Sequence, residues 1–214
     1  TWFRIGDRDT ATHLTRTNML KNGKSLSDIT RWMCEKFAIE IKVLPVSDNT
    51  ISTRITTNKG KVHLQEYWVK YRGMDPVEGI EYEGVEKARP NPDATNAIHD
   101  SELVIIAPGN PLTSIGPMLM LKAIRKELSK NKRKVVAVSP IIGNSTVSGP
   151  AGKYMEAAGL EVSAYGVAKF YADVCSNIVI DTRDRMQTKK IESLNMNVYD
   201  TKIKMTNKKT EDAL

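Results

Sequence analysis

Three clusters of side chains have the types and spacing to do chemistry. Near the start of the chain Asp7, Arg8 and Asp9 are followed by His13. Carboxylates two residues apart cannot share one helix face. At a loop-to-helix junction, however, Asp7 and Asp9 can converge on a metal or a polar ligand. The planar guanidinium of Arg8 between them suits a phosphate or a carbonyl-rich ring. His13 falls one helical turn after Asp9 and can line the same face, without being cast as a general base. The bland alternative is that Asp9 caps a helix and Asp7 pairs with Arg8. In the second cluster, Asn110, Thr113 and Ser114 sit between an apolar run and a helical pattern. Backbone N–H groups and the positive dipole end favour an anion there, or else the turn caps its own helix. The third cluster, Ser139 to Gly152, combines Ser139, Ser145 and Ser148 with Pro140, Ile142, Gly143, Gly149 and Gly152. Glycines permit close backbone approach and serines supply hydroxyls, so this reads as a binding surface or as generic turn chemistry.

Some chemistries are not indicated. The chain has no Gly-x-x-x-x-Gly-Lys-Ser/Thr phosphate loop. It shows no Gly-x-Ser-x-Gly elbow or evident Ser–His pair for a nucleophilic serine. Cys34 and Cys175 fit neither a metal spacing nor a disulfide framework.

The elements that must hold these clusters are legible as a strand–helix–strand unit. Leu103–Ala107 is a short apolar run, followed by the turn-forming Pro108-Gly109-Asn110-Pro111. Met118, Leu121, Ile124 and Leu128 then repeat at helical spacing, and Val135–Val138 is a second apolar run. Two continuous apolar runs flanking a helix predict a parallel pair, whose strand ends open onto a ligand crevice. Before this unit, residues 7–22 predict a helix stopped at Asn22-Gly23. Ser25–Asp28 predicts a capping box, and Leu26, Ile29, Trp32, Met33 and Phe37 a buried helix stripe. Strands are expected at Ile41–Leu44, Ile51–Thr57 and Val62–Tyr71, the last two as a hairpin through Asn58-Lys59-Gly60. Tyr71–Pro92 reads as strand fragments and loop capping the site. After it, helices are expected at Gly152–Ala158 and Val167–Asp173, an edge strand at Glu161–Ser163, and strands at Asn177–Asp181 and Asn197–Tyr199. The fold class is α/β, a Rossmann-like, mainly parallel sheet flanked by helices. Residues 1–214 form one domain, with 41–92 as a β-hairpin and cap insertion.

The charge balance is +7, with 32 Lys and Arg against 25 Asp and Glu. Much of the excess is local, because Lys122, Arg125, Lys126, Lys130, Lys132, Arg133 and Lys134 face only Glu127. Such a cluster suits an anionic substrate or nucleic acid, or is simply a solvated helix face. No recognisable RNA motif accompanies it, and no apolar run approaches the ~20 residues of a membrane span. Neither nucleic acid nor membrane is therefore expected as a partner. With no signal-peptide pattern, the expected location is the cytoplasm.

Three segments carry a resemblance. Gly6-Asp-Arg-Asp-Thr-Ala-Thr-His13, Ala107-Pro-Gly-Asn-Pro-Leu-Thr-Ser-Ile-Gly116 and Ser139-Pro-Ile-Ile-Gly-Asn144 with Ser148-Gly-Pro-Ala-Gly152 resemble, in order, signatures of the 2-phospho-L-lactate transferase family. His63–Trp68 is similar to an intervening segment, and the likeness runs along nearly the whole chain. It implies transfer of a phospholactyl or phosphoenolpyruvyl group from a guanosine diphosphate-linked donor to a deazariboflavin, with GMP released and Mg²⁺ bridging the diphosphate. By the same resemblance Asp7 and Asp9 are the catalytic and metal-holding carboxylates, and Arg8 and His13 bound the acceptor. Asn110, Thr113, Ser114, Ser139, Pro140, Ile142, Gly143, Gly149 and Gly152 hold the guanosine diphosphate half. The family's opening Gly-rich turn and early acidic segment have no counterpart here, so the chain is expected to be a piece of a longer protein, incomplete at its N-terminus. The expected assembly is a homo-oligomer, a dimer. A nucleotide- or nucleotide-sugar-binding regulatory module of the same fold is the alternative.

Overall fold

The computed structural model describes residues 2–143, 145–146 and 149–205. Helix α1 (Asp7–Lys21) starts after Gly6, carries Asp7 and Asp9 in its first turn, and stops at Asn22 before the left-handed Gly23. Acidic residues in a first turn complement the helix dipole. Helix α2 (Leu26–Lys36) is capped by Ser25, whose hydroxyl accepts from the Asp28 N–H at 3.1 Å. The apolar stripe on α2 departs from expectation. Only Ile29 is buried, whereas Trp32 and Phe37 are 37% and 60% exposed. The reason lies in the neighbour: α2 packs on α1, which has no buried residue of its own.

Ile41–Leu44 forms no strand; Pro45 follows directly, and no neighbouring strand pairs with it among the described residues. The hairpin does form, as β1 (Ser52–Thr57) and β2 (Gly60–His63), joined with Thr57 opposite Gly60. The return strand ends at His63 rather than Tyr71. Beyond it the chain coils into a π-helical turn, Glu66–Lys70. Tyr67 drives this turn inward, with its buried hydroxyl donating to Asp75 O at 2.7 Å and Gly73 O at 3.2 Å. Strand β3 (Gly79–Glu83) adds antiparallel to β1, giving the order β2-β1-β3. Helix α3 (Pro92–Asp100) was not anticipated, although Asn91 caps it and Pro92 opens it, a pairing well suited to a helix start.

Then comes the expected unit. Strand β4 (Val104–Ile106) leads into a second π-helical turn, Pro111–Ile115, which continues into α4 (Gly116–Leu119). The single helix expected from the spacing is broken at Leu121, whose extended backbone starts α5 (Lys122–Lys130). Leu121, Ile124 and Leu128 are buried while the lysines point outward. The basic cluster is thus largely a solvated face, with Arg125 paired to Asp173 at 2.7 Å and Lys134 donating to His99 O and Ser101 O at the end of α3. Strand β5 (Val135–Val138) pairs parallel with β4. A small hairpin of β6 (Ile141–Ile142) and β7 (Ser145–Thr146) follows, then α6 (Ala151–Ala157). Glu161–Ser163 is not a strand, because Ser163 caps α7 (Ala164–Tyr171) through the Gly166 N–H.

Strand β8 (Asn177–Asp181) lies parallel to β5, and β9 (Asn197–Thr201) parallel to β8. Between them a 3-10 turn, Thr182–Gln187, and α8 (Thr188–Glu192) make the return crossing. The main sheet is therefore β4-β5-β8-β9, all parallel and flanked by helices. One apolar cluster joins Ile55 and Tyr67 to Val135, Ala137, Ile178 and Ile180, so the small sheet and the main sheet share a core.

Candidate functional site

Parallel strands in register deliver their carboxyl ends to one edge of the sheet, and a ligand crevice belongs there. A cleft of about 490 Å³ occupies that position. Its walls come from the segments after β4 (Pro108–Asn110, Thr113, Ser114), after β5 (Ser139, Pro140) and after β9 (Ile203–Met205). Gly149, Pro150, Ala151 and Tyr154 at the start of α6 close another side, and Leu64, Gln65 and Trp68 close the last. Both π-helical turns contribute to it, and such turns recur at functional sites.

The post-β4 wall is built by Asn110. Its side-chain oxygen accepts from the N–H groups of Leu112 and Thr113 at 3.0 and 3.2 Å, and its carbonyl accepts from Ser114 and Ile115. Asn110 therefore caps the turn, while the hydroxyls of Thr113 and Ser114 have no protein partner among the described residues. Ser139 lies on the cleft but is committed to the fold. It is fully buried, and its hydroxyl both accepts from Ile141 N–H and donates to Ile141 O at 3.1 Å.

The rest of the 139–152 loop divides. Pro140 and Gly149 line the cleft. Ile142 packs into the core with Val138 and Ile203. The Gly143 N–H is taken by both oxygens of Asp184, each at 3.0 Å, and Gly143 is not part of the wall. Gly152 faces Val162, which an added Cβ would meet at 3.4 Å. Ser145 lies on β7, away from the cleft, and Ser148 lies outside the described residues.

The N-terminal cluster stays apart. Asp7, Arg8, Asp9 and His13 are on the exposed surface of α1 and do not line the cleft. Asp7 accepts from its neighbour's backbone N–H at 2.8 Å, and Gly6, not Asp9, is the capping position. Ahead of α1, the Trp2 ring lies 5.9 Å from the Lys70 ammonium at the end of the Trp68-bearing turn. Among the described residues no group of three or more His, Cys, Asp or Glu converges, and the cleft wall carries no carboxylate. Mg²⁺ is commonly held by one or two carboxylates, with phosphate oxygens and waters completing its octahedral shell, so a pair such as Asp7 and Asp9 would need a bound diphosphate to complete a site.

Several wall residues had no signal from spacing. Trp68 falls in a segment expected to be the return strand of the hairpin and similar to a family segment, neither of which marks it as a wall residue. Lys204 and Met205 follow β9 in a polar, basic stretch without periodicity. Their position is set by Asp181, a buried carboxylate at the end of β8. It accepts from Arg183 Nε at 2.7 Å, from Arg183 N–H at 3.1 Å and from Ile203 N–H at 3.3 Å. The Arg183 hydrogen bond holds the Asp181 carboxyl below its ordinary value of 3.8, against the opposing effect of burial. A carboxylate with a depressed folded value adds stability at pH above its ordinary value, and that stability disappears as pH falls through the depressed value. Asp181→Asn should therefore be less stable than the parent near neutrality, with the gap closing in acid. Denaturant melts across the acid range check this, and a gap independent of pH would contradict it.

Among the described residues the cleft thus offers an apolar and aromatic side (Leu64, Trp68, Pro108, Met205) together with hydroxyls, amides and the Lys204 ammonium. That combination suits a ligand with a flat ring and an anionic group. Comparison with known proteins identifies the family. A family model described as 2-phospho-L-lactate transferase CofD matches residues 2–212. A 2-phospho-L-lactate transferase of Methanosarcina mazei is 46% identical over 183 residues, 86% of this chain and 60% of the relative. That of Methanocaldococcus jannaschii is 46% identical over 193 residues, 88% of this chain and 61% of the relative. The chain spans about 60% of the length of these curated relatives. In fold it is similar to a UPF0052-family protein of Bacillus halodurans, with a TM-score of 0.65 at 14% identity, covering 91% of this chain and 68% of that one. The family model's reach over nearly every residue, with parallel-strand ends and motif loops meeting at one cleft, establishes that the chain belongs to the 2-phospho-L-lactate transferase family.

Proposed function

We propose that the cleft binds a guanosine diphosphate-linked three-carbon acid and a deazariboflavin, 7,8-didemethyl-8-hydroxy-5-deazariboflavin, and transfers the phospholactyl or phosphoenolpyruvyl group between them. The terminal ribityl oxygen bonds to the acid-bearing phosphorus as the bond from that phosphorus to the bridging oxygen breaks. GMP leaves, and the hydroxyl proton passes to solvent. Such a transfer needs alignment and charge neutralisation more than covalent catalysis. The observation that carries this reading is the wall itself: free hydroxyls on Thr113 and Ser114 and the Lys204 ammonium share one cleft with the Trp68 indole. Phosphoryl oxygens fit the former group and a planar ring the latter. The resemblance assigns Arg8 and His13 to the acceptor and Asp7 and Asp9 to the metal; the four residues do not line the cleft, so these roles rest on the resemblance alone. Mg²⁺ belongs to the reading through the family resemblance, and no step is assigned to it.

The absence of a carboxylate from the described wall favours one rival, a nucleotide-binding module without transferase activity. A single assay separates them. The chain is incubated with the guanosine diphosphate-linked donor and the deazariboflavin, with and without Mg²⁺, and the products are weighed by mass spectrometry. Transfer product with matching GMP is the expected result. Binding of both compounds without GMP release would instead support the module.

A further inference from the structure

The loop after β5 reaches the cleft at both ends and leaves it in the middle. Pro140 and Gly149 to Ala151 line the wall, while Gly143 sits in the turn between β6 and β7 with a left-handed φ of 58°. The hairpin is short, pairing only Ile141 with Thr146 and Ile142 with Ser145. A two-stranded hairpin of that length does not hold its shape unaided. Two contacts anchor it from outside. Ile142 packs with Val138 and Ile203, and the Gly143 N–H donates to both oxygens of Asp184 at 3.0 Å.

Asp184 is 3% exposed and belongs to the 3-10 turn that follows β8. The flanking Arg183 and Arg185 pair with Asp181 and Asp200 instead. Besides Gly143, Gln187 Nε2 donates to Asp184 at 3.2 Å, while Gln187 Oε1 accepts from Tyr165 N–H at 2.9 Å. Among the described residues, then, neutral donors rather than a paired cation answer this carboxylate. Burying a carboxylate in that way is costly. The fold accepts the cost at the point where Asp184 fixes the middle of a cleft-forming loop. Asp181, three residues earlier, acts likewise on the segment after β9, accepting from the N–H of Ile203, which lines the cleft. Neither carboxylate lines the cleft itself.

We infer that Asp184 is a positioning residue for the cleft, holding through Gly143 the wall that Pro140 and Gly149 present to the ligand. This rests on the reading of the cleft as a substrate site whose 139–152 side takes the guanosine diphosphate half. Without the clamp the loop samples other arrangements, and the apparent affinity falls by the fraction of time spent in the competent one.

The test uses Asp184→Ala and Asp184→Asn in the whole chain, well below each variant's melting temperature. Hydrogen exchange is followed at the Gly143 amide, and dissociation constants are measured for GDP and, separately, for the deazariboflavin. In Asp184→Ala the Gly143 amide should lose its protection. GDP should bind about 5- to 20-fold more weakly and the deazariboflavin under about twofold, as for a loop competent about 5–20% of the time. Asp184→Asn keeps an oxygen for the Gly143 N–H and should return GDP to within about threefold of the parent. If Asp184→Ala does not fold, Asp184→Glu, which keeps the charge and moves it by one methylene, is judged by the same exchange and binding criteria. A protected Gly143 amide in the folded variant would overturn the inference. Parental GDP affinity, or equal weakening of both probes, would overturn it too and leave the reading of the cleft intact. Failure of the parent chain to bind GDP would overturn both.

Discussion

Replacing Gly116 by Ala should lower the stability of the chain by about 2–4 kcal/mol and remove ligand binding at the cleft. Gly116 opens α4 directly after the π-helical turn that carries Thr113 and Ser114. A Cβ there would overlap the Tyr82 hydroxyl and meet Pro111 O at 3.1 Å. That hydroxyl donates to Leu112 O at 2.5 Å, and burial pushes its ionisation up to about 12, so it is a permanent donor. It is the tether between β3 and the turn. The added methyl must displace either the tether or the turn, and both lie in packed surroundings. For a chain of this size the expected fall in melting temperature is about 5–15 °C. Tyr82→Phe makes room for the methyl, so Gly116→Ala should cost less in that background than in the parent. A double-mutant cycle measures this coupling. Additive effects would show that the methyl and the hydroxyl do not meet.

That tether illustrates where sequence reading succeeds and fails. Val135–Val138 and Asn177–Asp181 were legible because a strand buried on both faces needs an unbroken apolar run, which chance seldom supplies. Asn110 was legible as a turn residue before a helix. The π-helical turns were not, since an extra residue per turn leaves no periodic trace, and Tyr67 or Tyr82 reveals its inward hydroxyl only once its partner carbonyl is in place. The stripe from Leu26 to Phe37 shows the converse. Apolar periodicity records that a face can be buried, and it says nothing of what covers it. Within the loop after β5, Pro140 and Gly149 reach the cleft while Ile142 and Gly143 turn into the core and toward Asp184. Composition cannot separate these neighbours, because backbone direction reverses within two residues. Tyr154 and Lys204 come from distant segments and meet the cleft only through folding.

Removing the Trp68 ring should have the largest effect on recognition with a small effect on folding. The indole is 43% exposed and lines the cleft, so Trp68→Ala opens no deep core cavity. Stacking a heteroaromatic ring on such a side chain is worth about 1–3 kcal/mol, or roughly a 5- to 150-fold change in dissociation constant. Gly73 supplies an independent route to the same outcome. It holds a left-handed backbone with φ of 59°, and a Cβ there would meet the indole carbons Cε3 and Cζ3 at 2.9 Å. The backbone at Gly73 cannot retreat easily. Its N–H donates to Tyr67 O at 2.8 Å, and its carbonyl accepts from the Tyr67 hydroxyl at 3.2 Å and Lys153 Nζ at 2.6 Å. The exposed ring is the part free to move. Gly73→Ala should therefore cost about 1–2 kcal/mol of stability from backbone strain and, by pushing the indole aside, weaken the deazariboflavin or GDP as Trp68→Ala does. The chain has three tryptophans, so replacing Trp2 and Trp32 by Phe leaves Trp68 as the sole fluorescent reporter. In that background the Gly73→Ala emission should shift without ligand, and ligand quenching should fall. A folded Gly73→Ala chain with parental emission and parental affinity would mean that the indole neither rests on Gly73 nor meets the ligand.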